Sequence, residues 1–195
     1  MRARTLAEVQ ALDAGWSFLD ATGAHAFRGC GVRVPTLDAL LAAAPGVPLN
    51  VEIKQDEPAI EAAVLAVLDR HDARARVLLA AEHHHIMLRI RAAAPDMLTS
   101  ASAVEVADFV RRVGARDLAG FRPPYVALQV PPSFGDVDIV TAESVHVAHD
   151  LGVEVHVWTI NEPAEMERLL DLGVDALMSD VPAVAMEVLR RRGVR

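Results

Sequence analysis

The segment Asn50-Val51-Glu52-Ile53-Lys54 carries more potential chemistry for its length than any other stretch of the chain. Side chains alternate in an extended backbone, so Asn50, Glu52 and Lys54 share one face while Val51 and Ile53 take the other. At the carboxyl end of a barrel strand, Glu52 can ligate a hard divalent cation and Lys54 can attract a phosphate oxygen. The same two groups can also form an internal ion pair with no further role. In His156-Val157-Trp158-Thr159-Ile160-Asn161 the alternation brings His156 and Trp158 together. Trp158 there is either pocket wall or core, His156 is a packed, hydrogen-bonded residue ahead of a proton-transfer group, and Asn161 is most simply a helix cap. Gln129, near the end of another extended segment, can donate to a phosphate or polar headgroup, or satisfy nearby loop backbone. Asp180 orients a loop amide or basic side chain, or simply precedes a helix. The run His83-His84-His85 suggests metal binding at first sight, but adjacent helical side chains point about 100 degrees apart and do not converge on one ion.

The elements that must position these residues follow from periodicity and punctuation. Thr5 with Glu8 reads as a capping box before Leu6, Val9 and Leu12, and Gly15 ends that helix. Residues 16–35 have no period and read as loop, followed by a short helix containing Leu37, Leu40 and Leu41. Extended segments are predicted at 49–53, 77–81, 126–130, 153–159 and 175–178, with a weaker one at 97–99. Helices are predicted between them: 58–70 with Pro58 in its first turn, one around Ile86, Met87 and Ile90, 103–113, one from Thr141 toward Leu151, one opened by Asn161, and a closing one over 183–191. Pro131-Pro132 offers no amide and is expected to end regular pairing. Short strands alternating with amphipathic helices imply parallel β/α units.

Composition narrows the function classes. At 195 residues and 52% hydrophobic, the chain can bury one substantial core, and one domain is expected. The formal net charge of -8 argues against nucleic acid as a partner, because a phosphate backbone must be met by clustered cations. The lone Cys30 excludes an internal disulfide. No apolar run reaches the roughly 20 residues of a membrane span, and the first residues turn acidic and helical before a signal-peptide core can form, so the sequence reads as cytoplasmic. It contains no Gly-x-Ser-x-Gly elbow, P-loop or dinucleotide glycine fingerprint.

Taken in order, Thr5-Leu6-Ala7-Glu8, Leu12-Asp13-Ala14-Gly15, Val34-Pro35-Thr36-Leu37, Leu49 to Lys54, Val155 to Asn161 and Gly173 to Pro182 resemble the glycerophosphodiester phosphodiesterases, as the carboxyl-terminal two thirds of their catalytic domain. The resemblance implies an α/β fold in which residues 1–195 form one partial domain, an incomplete TIM-type (β/α) barrel lacking roughly the first three β/α units. It implies hydrolysis of a glycerophosphodiester to glycerol 3-phosphate and an alcohol, with Glu52 in the metal site, Lys54 in the phosphate-facing pocket and Trp158 lining the substrate region. Gln129 joins these as a candidate substrate contact from its position. The cation is Ca2+ or Mg2+, once the site is completed. The family's opening His-Arg-Gly segment, the acidic motif after it and the His-Asp motif have no counterparts here, so no residue of this chain is assigned a catalytic role. The chain is expected to be weak or inactive alone, and to be completed by a missing upstream segment or by a homo-oligomer. A non-catalytic interaction or substrate-binding remnant of the same fold is the alternative.

Overall fold

Side-chain capping sets where several helices begin. In the computed structural model, which describes residues 3–20 and 22–193, the hydroxyls of Thr5, Thr36, Ser102 and Thr141 accept from the amides of Glu8, Ala39, Glu105 and Ser144. These bonds satisfy donors that a helix start leaves without partners. They open α1 (Leu6–Gln10), α2 (Leu37–Ala43), α5 (Ala103–Ala115) and α6 (Ala142–Asp150). The expected Thr5–Glu8 capping box is present, and Ser102–Glu105 forms a second.

The chain divides into two compact units, residues 1–47 with 66–73 and residues 48–65 with 74–195. In the first, the loop expected over 16–35 is held by Asp13, whose carboxylate accepts from the amides of Gly15 at 2.9 Å and Gly29 at 2.7 Å. Gly15 is required by this closure, because a Cβ there would stand 2.5 Å from the Phe27 carbonyl oxygen. Arg28 donates to the Trp16 carbonyl and lies over the Trp16 ring, while Phe18 and Phe27 meet edge to face. Leu41, Leu68 and Ala73 are buried in this unit.

The second unit is a run of parallel strands in chain order. β1 (Leu49–Glu52) pairs with β2 (Val77–Ala80), and β3 (Ala127–Val130) pairs with a strand at Glu154–Val157, which pairs in turn with one at Ala176–Leu177. Residues 98–101 stitch the two groups together. The Ser100 amide donates to Leu79 and the Ala101 amide to Ala127, giving single parallel bridges on each side. The weak strand expected at 97–99 is therefore real but reduced to bridges. The second unit also holds α4 (His84–Ala93), α5 and α6, and later helices at Pro163–Asp171 and Pro182–Arg191, while α3 (Glu61–Arg70) is divided, its residues 66–70 belonging to the first unit. The core includes Phe109 and Val113 of α5, Leu128 and Val130 of β3, and Met166 and Leu169 further on. With residues 98–101 counted, six parallel segments follow one another. These segments are counted among the described residues.

Two local expectations are corrected. Pro58 lies ahead of α3 rather than in its first turn: the helix begins at Glu61, and the Pro58 carbonyl is instead bonded by the Gln55 side chain at 2.8 Å. Pro131-Pro132 does end β3, but pairing resumes at once in an antiparallel hairpin of β4 (Ser133–Phe134) and β5 (Val137–Asp138). Its two-residue turn is led by Gly135 at φ 58, the positive value that a glycine-first hairpin turn requires. In chain order, the strand at Glu154–Val157 is β6, the helix at Pro163–Asp171 is α7, the strand at Ala176–Leu177 is β7 and the helix at Pro182–Arg191 is α8. No helix among the described residues is long and apolar enough to cross a membrane.

A half-buried ionic network ties α4 to α5. Arg91 donates to both carboxylate oxygens of Glu105, to Thr99 Oγ1 and to the Ser100 carbonyl, and Glu105 also accepts from the Ser102 amide. Burial pushes the Glu105 carboxyl up, but the Arg91 hydrogen bonds and the Ser102 amide outweigh it and hold the group below the ordinary carboxylate value. A depressed folded-state pKa stabilises the fold above the unfolded value, about 4.3, and that contribution is lost as pH falls through the folded one. Glu105→Gln is expected to cost about 2–4 kcal/mol at neutral pH. Urea titrations at stepped pH should show the gap to wild type constant at neutral pH and closing below about pH 4.

Candidate functional site

Strand alternation and parallel register bring the candidate residues to one end of the arc. Asn50 and Glu52 on β1, with Lys54 just beyond it, face a cavity of about 900 Å3. The cavity is also lined by Glu82 after β2, Ser100, Gln129 of β3, and Trp158 and Met178 after β6 and β7. Most of these strand-borne residues sit at or just past a strand's carboxyl end, where parallel β/α folds place their sites. Four residues singled out from the sequence, Glu52, Lys54, Gln129 and Trp158, thus share one space.

Lys54 Nζ lies 2.8 Å from Glu52 Oε2, so the internal pair allowed by the sequence does form. The hydrogen bond to Glu52, then the charge of that carboxylate and more weakly of Glu82, raise the Lys54 ammonium above its ordinary value. The pair is nevertheless open to solvent, with the Lys54 side chain 77% exposed. An exposed pair contributes little to the fold, which leaves both groups free to meet a ligand. Among the described residues no three His, Cys, Asp or Glu side chains converge as a metal-binding group. Hard divalent cations take oxygen ligands from carboxylates, waters and phosphates, and two carboxylates, Glu52 and Glu82, line the cavity.

Other candidates fall elsewhere. His156 Nε2 meets Glu154 at 2.9 Å and its Nδ1 lies 3.5 Å from Gln129 Nε2, with the two residues in register across β3 and β6. This is the packed, hydrogen-bonded role. The histidine run disperses: His84 Nδ1 pairs with Ser102 Oγ at 2.9 Å, His85 pairs with Asp56, and the rings of His83 and His85 stack. Asn161 does not cap α7, whose N-cap is Glu162. Its Oδ1 accepts from Ser179 Oγ and the Asp180 amide while its Nδ2 donates to Asp180 Oδ2, latching the loop after β6 to the loop after β7. Asp180 is the partner in that latch and leaves the N-cap position of α8 to Val181.

Sequence reasoning passed over Val106, Val110 and Arg111 on α5 and Phe134 and Val137 on the hairpin, all of which line the same cavity. The Gly135-Asp136 pair between Phe134 and Val137 was the signal for the hairpin; the two prolines before it obscured it.

The family model for the glycerophosphoryl diester phosphodiesterase family matches residues 1–184. The chain belongs to this family. Among named relatives, probable glycerophosphodiester phosphodiesterase 2 of Mycobacterium tuberculosis is 32% identical over 169 residues, covering 85% of this chain and 63% of the relative. The chain therefore spans less than two thirds of that relative's length. Glycerophosphodiester phosphodiesterase of Caldanaerobacter subterraneus subsp. tengcongensis is 25% identical, over 97% of this chain and 72% of the relative. The fold is shared with a solved Oleispira antarctica phosphodiesterase in complex with the product sn-glycerol-3-phosphate, with a TM-score of 0.69 at 24% identity over 95% of this chain and 70% of that one.

The openness of the Glu52–Lys54 pair can be checked directly. Lys54→Met should change unfolding free energy by less than about 1 kcal/mol in urea titrations, whereas a pair that held the fold together would cost several times that.

Proposed function

We propose that this chain contributes the phosphate- and glycerol-facing part of a glycerophosphodiester phosphodiesterase site, acting on glycerophosphodiesters to give glycerol 3-phosphate and an alcohol. The observation that carries the reading is the convergence of Glu52, Lys54, Gln129 and Trp158 on one cavity at the carboxyl end of a parallel arc, in a chain of this family. The product complex of the Oleispira antarctica relative supports the choice of ligand. Lys54 supplies a charge for a phosphate oxygen, Gln129 a neutral donor, and Trp158 an apolar wall for the glycerol carbons. Glu52 brings one oxygen ligand toward a divalent cation, Ca2+ or Mg2+, whose remaining ligands come from outside the described residues. The reading places the protein in the cytoplasm, with the site completed by further sequence or by a second copy, and expects weak or no turnover from residues 1–195 alone.

One observation favours a second reading, binding without hydrolysis: of the histidines described, none lines the cavity, so no imidazole is placed for proton transfer. Calorimetric titration of sn-glycerol 3-phosphate into the purified chain, with and without Ca2+ or Mg2+, tests both. Binding is expected to weaken about tenfold in Lys54→Met and to lose its metal dependence in Glu52→Gln. Equal weak signals from wild type and both variants would remove the site. Release of glycerol 3-phosphate from glycerophosphocholine separates enzyme from binding remnant.

A further inference from the structure

The cavity has an apolar half that glycerol and phosphate do not need. Its charged lining is mostly on and after β1 and β2, as Glu52, Lys54 and Glu82, whereas the side toward β3, the hairpin and α5 presents Val106, Val110, Phe134, Val137 and Ile139, with Arg111, paired to Asp108, as the one charged group of α5 there. Phe134 and Val137 are directly paired in the hairpin register, so their side chains share one face. That face belongs to the cavity wall, yet Phe134 is 78% exposed and Val137 52%. A hairpin that turns two neighbouring apolar side chains toward a ligand space, and leaves them wet, is suited to cover an apolar ligand segment. The cavity volume, about 900 Å3, lies near the top of the roughly 300–1,000 Å3 span of small-molecule pockets. This leaves room beyond a glycerophosphate group.

We infer that the β4–β5 hairpin and the Val106–Val110 face of α5 form a subsite for one hydrocarbon chain, so that the preferred ligand is a phosphodiester bearing a single acyl or alkyl chain. The inference rests on the proposed glycerophosphodiester site and specifies its substrate class. The chain could be carried on the glycerol, as in a single-chain phospholipid, or on the alcohol, as in a glycerophosphoryl alkyl ester. Both present the same chemistry to the cavity: an anionic phosphodiester for Lys54 and hydrocarbon for Phe134, Val137, Val106 and Val110.

The test is calorimetric binding to the full chain below the critical micelle concentration. Probes are glycerophosphocholine, its butanoyl, hexanoyl and octanoyl single-chain esters, and glycerophosphoryl octanol; mono-octanoylglycerol controls for hydrocarbon without phosphate. Affinity should rise with chain length, reaching about tenfold for octanoyl over glycerophosphocholine, and mono-octanoylglycerol should bind more weakly than either octyl phosphodiester. The stronger of the two octyl compounds identifies the side of the phosphate that carries the chain. In Phe134→Ser/Val137→Ser the octanoyl-to-glycerophosphocholine ratio should fall toward one. A flat chain-length series in wild type, or an undiminished ratio in the double variant, overturns the subsite while the headgroup site stands. Failure of sn-glycerol 3-phosphate and of every phosphodiester to bind overturns both.

Discussion

Backbone hydrogen bonds that step from one strand to the next in a single direction hold the functional end of this chain together. β1 is in register with β2, β2 is joined through residues 98–101 to β3, and β3 carries β6 and β7. Because every strand runs the same way, all their carboxyl ends finish at one rim. Residues separated by more than a hundred positions in sequence, Glu52 and Trp158, are thereby delivered to one cavity. The weakest link is the stretch 98–101, which has only single bridges on each side. The Arg91–Glu105–Thr99 network lies beside that stretch and supplies through side chains what the backbone ladder there lacks.

The cavity has two characters because its walls come from different kinds of element. Strand ends supply the charged groups, held at the rim of the arc. The helix α5 and the hairpin supply side chains from outside the parallel ladder, and apart from Arg111 these are apolar. The short hairpin adds little backbone pairing of its own. Its contribution is to carry Phe134 and Val137 to a place that no parallel strand reaches.

Alternation made Glu52 and Lys54 legible as neighbours on one face, and short extended segments between helices made the parallel β/α class legible, since both patterns are local. Thr5 and Thr141 mark helix starts for the same reason. What local patterns could not show was pairing across the chain. Asn161 looks like a cap by position, yet a better set of partners, Ser179 and Asp180, lies beside it only in the folded protein. The strand at 97–99 was weak in sequence because it is weak in fact: it contributes bridges rather than a ladder. The hairpin was missed for a different reason. A pair of prolines does terminate β3, and the glycine three residues after the second proline turns the chain so that pairing restarts in the opposite sense.

The strand that carries Glu52 has a partner on one side only among the described residues, with β2 bonded to it and its opposite edge outside any ladder. A carboxylate mounted there takes its aim from a backbone braced along a single flank. Anything that came to lie along the other flank would steady the acidic group and the ammonium beside it together, so ligand recognition and assembly would reinforce each other by thermodynamic linkage.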